Sequence, residues 1–243
     1  MIRVRIITIG DIYSELNTAR LKEWKSDLFE FCDIIKHDLQ HQTDLAWGYS
    51  DSLLEKILPK PADFLTNADL SFFVFDVPLE DNYFSRIISG NRVLISYYEI
   101  KDFLTQENIP LENFILKLAY SYVLLYMTYP IGLSMEKEIL IAHDLRRGCL
   151  YDMCGNKKEI VYSTVVPSIC NHCKDYLSSN GISDAQIRTA SKELKHIRRS
   201  AYYSIVAFLK KHPILSIIIS GGTAFILNMI SDWIYDLLYF YQR

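Results

Sequence analysis

No Gly-rich phosphate loop, nucleophile elbow, internal repeat or low-complexity tract occurs in the 243 residues. These absences speak against a P-loop or dinucleotide enzyme, an α/β-hydrolase and a solenoid. An excess of basic charge is missing too. The formal net charge is −3, with Lys+Arg 26 against Asp+Glu 29, whereas a general nucleic-acid binder is basic. No direct nucleic-acid contact is expected, and the sequence identifies no small-molecule substrate. The start of the chain lacks a continuous apolar stretch, because Arg3 and Arg5 interrupt it, so no signal peptide is expected. The most informative absence lies near the other end, where no charged side chain occurs from Ile214 to Ser231.

That uncharged run is rich in Ile, Leu and Phe. At about 1.5 Å per residue it would form a helix of about 27 Å, close to the ~30 Å hydrocarbon core of a bilayer. Lys210, Lys211 and His212 precede it, and Pro213 suits a first helical turn. Trp233, Tyr235, Tyr239 and Tyr241 follow it, where an interfacial aromatic belt would lie. The expectation is a C-terminal transmembrane segment over residues 212–243; a buried soluble helix is the alternative. Ser216, Ser220, Ala224, Asn228, Asp232 and Asp236 recur every fourth residue, with Gly221 and Gly222 beside them. They form one small and polar stripe, which fits self-association or the lining of a narrow polar path. A plain anchor with Asp232 and Asp236 among the headgroups is the blander reading. Lys192, Lys195, Arg198, Arg199, Lys210 and Lys211 lie before the segment and only Arg243 after it. That bias places the preceding domain in the cytoplasm of a single-pass protein.

The rest of the chain reads as α+β, a mixed sheet with long helices. Tyr and Phe are abundant, 17 and 12, as a large core requires. Residues 1–9 alternate as a strand, and 11–42 carry Leu16, Leu21, Trp24, Leu28, Phe31, Ile34 and Ile35 at spacings that predict a long helix. Cys32 falls inside it as a core residue, and His37 and His41 lie on its solvated face. A short strand at 46–49 and a short helix at 53–58 follow. Leu70 to Val77 is a continuous apolar run and reads as a central strand. Strands over 83–88 and 92–98 flank a Ser89-Gly90-Asn91 turn. A short helix is expected at 101–106, and Pro110 opens a buried helix to Tyr129. Asp184 or Ser183 caps a further helix. Its apolar Ile187, Ala190, Leu194, Ile197 and Ala201 and its basic flanks make residues 177–211 an amphipathic stalk, lying on anionic lipid or packing on the domain. The globular domain is assigned to residues 1–176.

Cysteines concentrate the chemistry. Cys149, Cys154, Cys170 and Cys173 fall within 25 residues of one another in a domain read as cytoplasmic, which favours a metal over disulfides. Cys170-Asn-His-Cys173 supplies two thiolates from one turn, and Cys149 and Cys154 can fill the other two corners of a tetrahedral zinc site. His143 and His172 are the alternates. Such a closed site would be structural, stapling a loop-rich segment, 143–173, that has little core of its own.

The order of elements, and the cysteine loop after a buried helix, resemble the metzincin-type zinc peptidases, and within them the archaemetzincins. That family carries His-Glu-x-x-His on a helix, a third His followed at once by Cys, a Cys six positions after that His, and Cys-x-x-Cys about twenty residues further on. Here His143 stands in the place of the third His, Asp144 replaces the Cys after it, Cys149 lies six residues beyond His143, and Cys170 and Cys173 come about twenty residues later. The likeness spans about 1–176 in element order and is specific only within 143–173. The helix from Pro110 to Tyr129 has no His-Glu-x-x-His. The resemblance then implies loss of the catalytic zinc and retention of a cysteine-rich structural zinc. Glu136, Glu138 and Asp152 are the carboxylates left for acid–base work.

The combined expectation is a non-enzymatic, membrane-anchored effector. A catalytically dead peptidase-like domain, bound by a protein partner, would control a self-associating and pore-forming C-terminal helix. A toxic effector of prokaryotic antiviral defence is one setting for it. A membrane-anchored zinc hydrolase, or a soluble protein whose last helix docks on a partner, are the other two readings.

Overall fold

A computed structural model describes residues 1–197 and 201–241, and of 201–204, 207 and 236–241 the backbone alone. Arg198, Arg199 and Arg243 of the basic set lie outside the described residues, as do the side chains of Asp236, Tyr239 and Tyr241. The described chain forms two units, residues 1–199 and 200–243.

In the first unit the chain runs β1 (Ile2–Ile9), α1 (Ile12–Glu15), α2 (Thr18–Lys22), β2 (Phe29–His37), α3 (Asp51–Ile57), β3 (Leu70–Phe75), β4 (Ser85–Ile88) and β5 (Arg92–Ser96). It continues with α4 (Ile100–Gln106), α5 (Glu112–Thr128), α6 (Met135–Ile141), α7 (Ile160–Val165), α8 (Asn171–Ser179) and α9 (Asp184–Glu193). The second unit holds α10 (Ala201–Lys211) and α11 (Pro213–Tyr241). The five strands form one mixed sheet in the order β2-β1-β3-β5-β4; β4 runs antiparallel to β5 and the other neighbours are parallel.

β3 lies in the middle of the sheet, and all six of its residues are buried. Successive side chains alternate between faces. Phe73 and Phe75 join Ile7, Ile9, Leu54, Leu58 and Leu94 in a cluster under α3. Phe72 points the other way and meets Tyr122 of α5 edge-on, ring centroids 5.9 Å apart. On that same side Phe29 packs against Tyr120 and Tyr97 against Phe114. The core helix therefore owes its apolar girth to burial on nearly every side: residues 112–125 are all buried. Gly48 has a specific duty beside the sheet. A Cβ there would lie 2.3 Å from the Pro78 carbonyl oxygen, and the adjoining Tyr49 bridges to Leu79. That bridge is all that forms of the strand expected at 46–49.

Two expectations about elements change. The long helix over 11–42 is replaced by α1, α2 and β2. The apolar positions Leu28, Phe31, Ile34 and Ile35 fit a helical stripe, but β2 pairs in parallel with β1 from Ile2↔Phe29 to Ile9↔His37. A register shift between Val4 and Arg5 leaves Cys32 without a partner residue. Cys32 accordingly sits in a strand, and His37 ends that strand rather than sharing a helix face with His41. Second, the globular unit does not stop at 176. Ile187, Ala190, Leu194 and Ile197 are buried, and the Glu193 carboxylate accepts from Ser26 Oγ (2.6 Å), Asp27 N (2.8 Å) and Tyr120 Oη (2.7 Å). The first half of the expected stalk is thus a folded part of the domain. Its capping box, Ser183 with Gln186, forms as expected from a Ser cap.

Pro213–Tyr235 of α11 is a 23-residue stretch long and apolar enough to cross a membrane, and none of its residues is buried.

Candidate metal centre

Four donors from three separate stretches converge next to α5. His143 follows α6 and is held by a parallel bridge to Asp152, with His143 N donating to the Tyr151 carbonyl and Met153 N to the His143 carbonyl, each at 3.0 Å. Cys149 bridges to Ser168. Gly148 reaches this turn at φ +86, a left-handed conformation that favours glycine, and its carbonyl accepts from Ser168 N. Cys170 is the N-cap residue of α8, and Cys173 lies in that helix's first turn and is buried. The Cys-x-x-Cys pair therefore opens a helix, where a loop is expected from sequence.

His143 Nε2 lies 3.0 Å from Cys173 Sγ and 3.4 Å from Cys170 Sγ; Cys149 Sγ lies 3.7 Å from Cys173 Sγ. All four donor atoms fall within 4.8 Å of one another, and all four residues are buried. A tetrahedral zinc with bonds of about 2.3 Å to sulfur and 2.0–2.1 Å to nitrogen places its donors ~3.5–3.8 Å apart. The three thiols and one imidazole fit a zinc site. The electrostatics agree. Two thiolates this close repel, so in the coupled pair Cys149 is held low, to about 4, chiefly by the Cys173 thiol donating to it, while Cys173 is pushed well up by the Cys149 sulfur. A dication between them would remove that repulsion.

One contact sets a condition on binding. Leu145 N–H donates to His143 Nδ1 at 3.1 Å, which puts the ring proton on Nε2, facing the sulfurs. A metal at Nε2 requires that proton to move to Nδ1, and the Leu145 bond then breaks.

Of the expected ligands, Cys149, Cys170 and Cys173 come together and Cys154 stands outside the group; His143 takes the fourth place. Cys154 sits at φ +47, its amide bound to Asp152 Oδ1 at 3.1 Å, and burial raises its thiol pKa. His172, the other alternate, is exposed, with its ring 5.8 Å from that of His143. The carboxylates divide. Glu136 is exposed, whereas Glu138 and Asp152 line a cavity beside α5. That both line one cavity had no signal in the sequence, where fourteen residues separate them.

In the second unit, Ser216, Ser220, Ala224, Asn228 and Asp232 all lie on α11, and Asp236 lies beyond the described side chains. Ser216 Oγ donates to the His212 carbonyl (2.8 Å) and Thr223 Oγ1 to that of Ile219 (2.7 Å), so these hydroxyls are satisfied within their own helix.

The chain matches no described protein family and no curated protein. Among solved structures it is similar to archaemetzincin from Methanopyrus kandleri, with a TM-score of 0.45 and 13% identity over 74% of this chain and 94% of that one. It is also similar to archaemetzincin from Archaeoglobus fulgidus, complexed with malonate, with a TM-score of 0.44 and 14% identity over 72% of this chain and 99% of that one.

Proposed function

We propose that this chain is a non-enzymatic membrane protein, in which a zinc-stapled cytoplasmic domain is followed by one helix that crosses the bilayer and associates with copies of itself. The observation that carries this is Pro213–Tyr235, whose Ile, Leu and Phe side chains are uncovered over the whole stretch. So large an apolar surface is stable in lipid or against a partner and not in water. The absence of a catalytic role is supported by α5, where Leu118, Ser121, Tyr122 and Leu125 face the neighbouring cavity and supply no metal ligand. The centre beside it has four protein donors and so leaves no open position for a substrate or water.

Fractionation tests the membrane part. After carbonate washing, the full chain is expected to stay with membranes and a chain stopped at Lys210 to be released. Release of both would sink the membrane reading in favour of a protein partner for α11. Peptidase activity that survives purification and disappears with chelator would sink the non-enzymatic part. The polar stripe supports self-association, and a membrane-opening effector released by a partner protein, as in prokaryotic defence, is the role it suits. Toxicity on expression that persists when Asn228, Asp232 and Asp236 are all changed to Ala would count against that role.

A further inference from the structure

The two sides of α9 differ in kind. Ile187, Ala190 and Leu194 are buried against the domain. Arg188, Lys192 and Lys195 lie on the opposite side, spaced about one turn apart along α9 and the 3-10 turn that continues it. Lys174 of α8 lines the same groove between the two helices. Asp175 and Asp184 share that groove, so its cations outnumber its carboxylates by four to two, although the whole chain carries −3. Arg188, Lys192 and Lys195 are exposed and Lys174 is half-buried. Among the described residues, none of the four makes an ion pair or a side-chain hydrogen bond. Cations that serve the fold are paired here, as Arg20 is with Glu112 and Arg92 with Glu55.

Because the apolar side of α9 is used in packing, the helix has no apolar face left to insert into lipid, and what it presents outward is charge. Chain length limits where that charge can go. Lys195 precedes Pro213 by 18 residues, a reach of at most about 65 Å. With α11 in a bilayer, the reading on which this inference rests, the groove is tethered near the membrane surface at a high effective concentration. We propose that the groove between α8 and α9 docks on anionic lipid headgroups of the membrane that α11 crosses, and so holds the domain against that surface. Each Lys or Arg near an anionic surface strengthens the attraction by about fivefold. A neutral surface offers these four cations no partner.

The test places the full, zinc-loaded chain in nanodiscs of phosphatidylcholine, with or without one quarter phosphatidylglycerol, and reads lysine acetylation rates by mass spectrometry. Lys174, Lys192 and Lys195 are expected to react at least roughly threefold more slowly in the anionic discs. Lys56 in α3 and Lys60 just after it, on the other face of the sheet from α5, should react alike in both. In 1 M salt, where the screening length is about 3 Å, the protection should vanish. Changing Arg188→Gln and Lys192→Gln together should abolish it at Lys174 and Lys195; if that variant loses its zinc, the wild type in the two lipids decides. Equal rates in both discs would overturn the proposal and leave the membrane span standing. A chain that does not enter the discs would overturn the membrane reading and this inference with it. Protection of Lys56 and Lys60 to the same degree, or protection produced in neutral discs by millimolar inorganic phosphate and not by phosphatidylglycerol, would also overturn it, the latter by assigning the groove to a soluble anion.

Discussion

His143 Nε2 lies 3.0 Å from Cys173 Sγ, although 30 residues separate them in the chain. The contact joins the segment after α6 to the first turn of α8. A metal held there would tie these segments together, so metal removal should loosen the domain. His143→Ala and Cys173→Ser are each expected to lose bound zinc and to destabilise the domain by several kcal/mol. Cys154→Ser is expected to retain one zinc per chain. Metal analysis of the purified variants distinguishes the set His143, Cys149, Cys170, Cys173 from the four-cysteine set.

Zinc should also change the state of the His143 ring. Leu145 N–H donates to His143 Nδ1. With metal at Nε2 the proton resides on Nδ1. Histidine ¹⁵N shifts should report this exchange of tautomer on adding one equivalent of zinc, together with faster hydrogen exchange at the Leu145 amide.

Glu138 links stability to pH. Its pKa is raised by burial from 4.5 to about 7. The folded state therefore holds a proton that the unfolded chain releases. The favourable contribution is fully present below about pH 4.5 and is lost as pH rises through about 7. Each tenfold difference in proton affinity between the two states is worth roughly 1.4 kcal/mol, so the change amounts to up to ~3 kcal/mol. Glu138→Gln keeps acceptor and shape without the charge. It should be more stable than the wild type at pH 8 and indistinguishable from it near pH 4, as read by chemical denaturation at both pH values.

Glu193 anchors α9 through Ser26, Asp27 and Tyr120. Glu193→Ala leaves the Tyr120 hydroxyl and the Asp27 amide without this acceptor. A loss of about 2–3 kcal/mol is expected from hydrogen bonds to a charged group. An unchanged denaturation midpoint would show that α9 is an independent stalk after all.

If α11 self-associates in lipid, Asn228→Leu should weaken it by about 0.6–2 kcal/mol, or roughly 3- to 30-fold in the dimer constant. Cross-linking in proteoliposomes across a range of lipid-to-protein ratios measures this. An unchanged profile argues for a contact face elsewhere on the helix.

Much of the architecture was legible because local composition decides it. Leu70–Phe75 is apolar at every position, and only burial on both sides of a sheet suits such a run. The Ser89-Gly90-Asn91 turn announces the β4–β5 hairpin, and the Pro110–Tyr129 stretch announces a core helix. The residues 29–37 were misread because Leu28, Phe31, Ile34 and Ile35 satisfy a helical period as well as a half-buried strand. What decides between the two is β1, whose open edge is paired by β2.

The sequence by itself determined that the last helix is apolar and carries no charged residue from Ile214 to Ser231, that the sheet has a buried centre, and that thiols and imidazoles enough for a metal lie within residues 143–173. These are properties of neighbouring residues, and 3.6- and 2-residue periods express them directly. Only the tertiary structure decided which donors converge. His143 reaches the site through its bridge to Asp152, and Cys154, although between the right cysteines in the chain, is turned aside at φ +47. The same folding placed Glu138 and Asp152 on one cavity and drew α9 onto the domain through Glu193. Metal and ligand sites are made of distances between segments, and such distances exist only once the sheet and α5 have fixed where each segment lies.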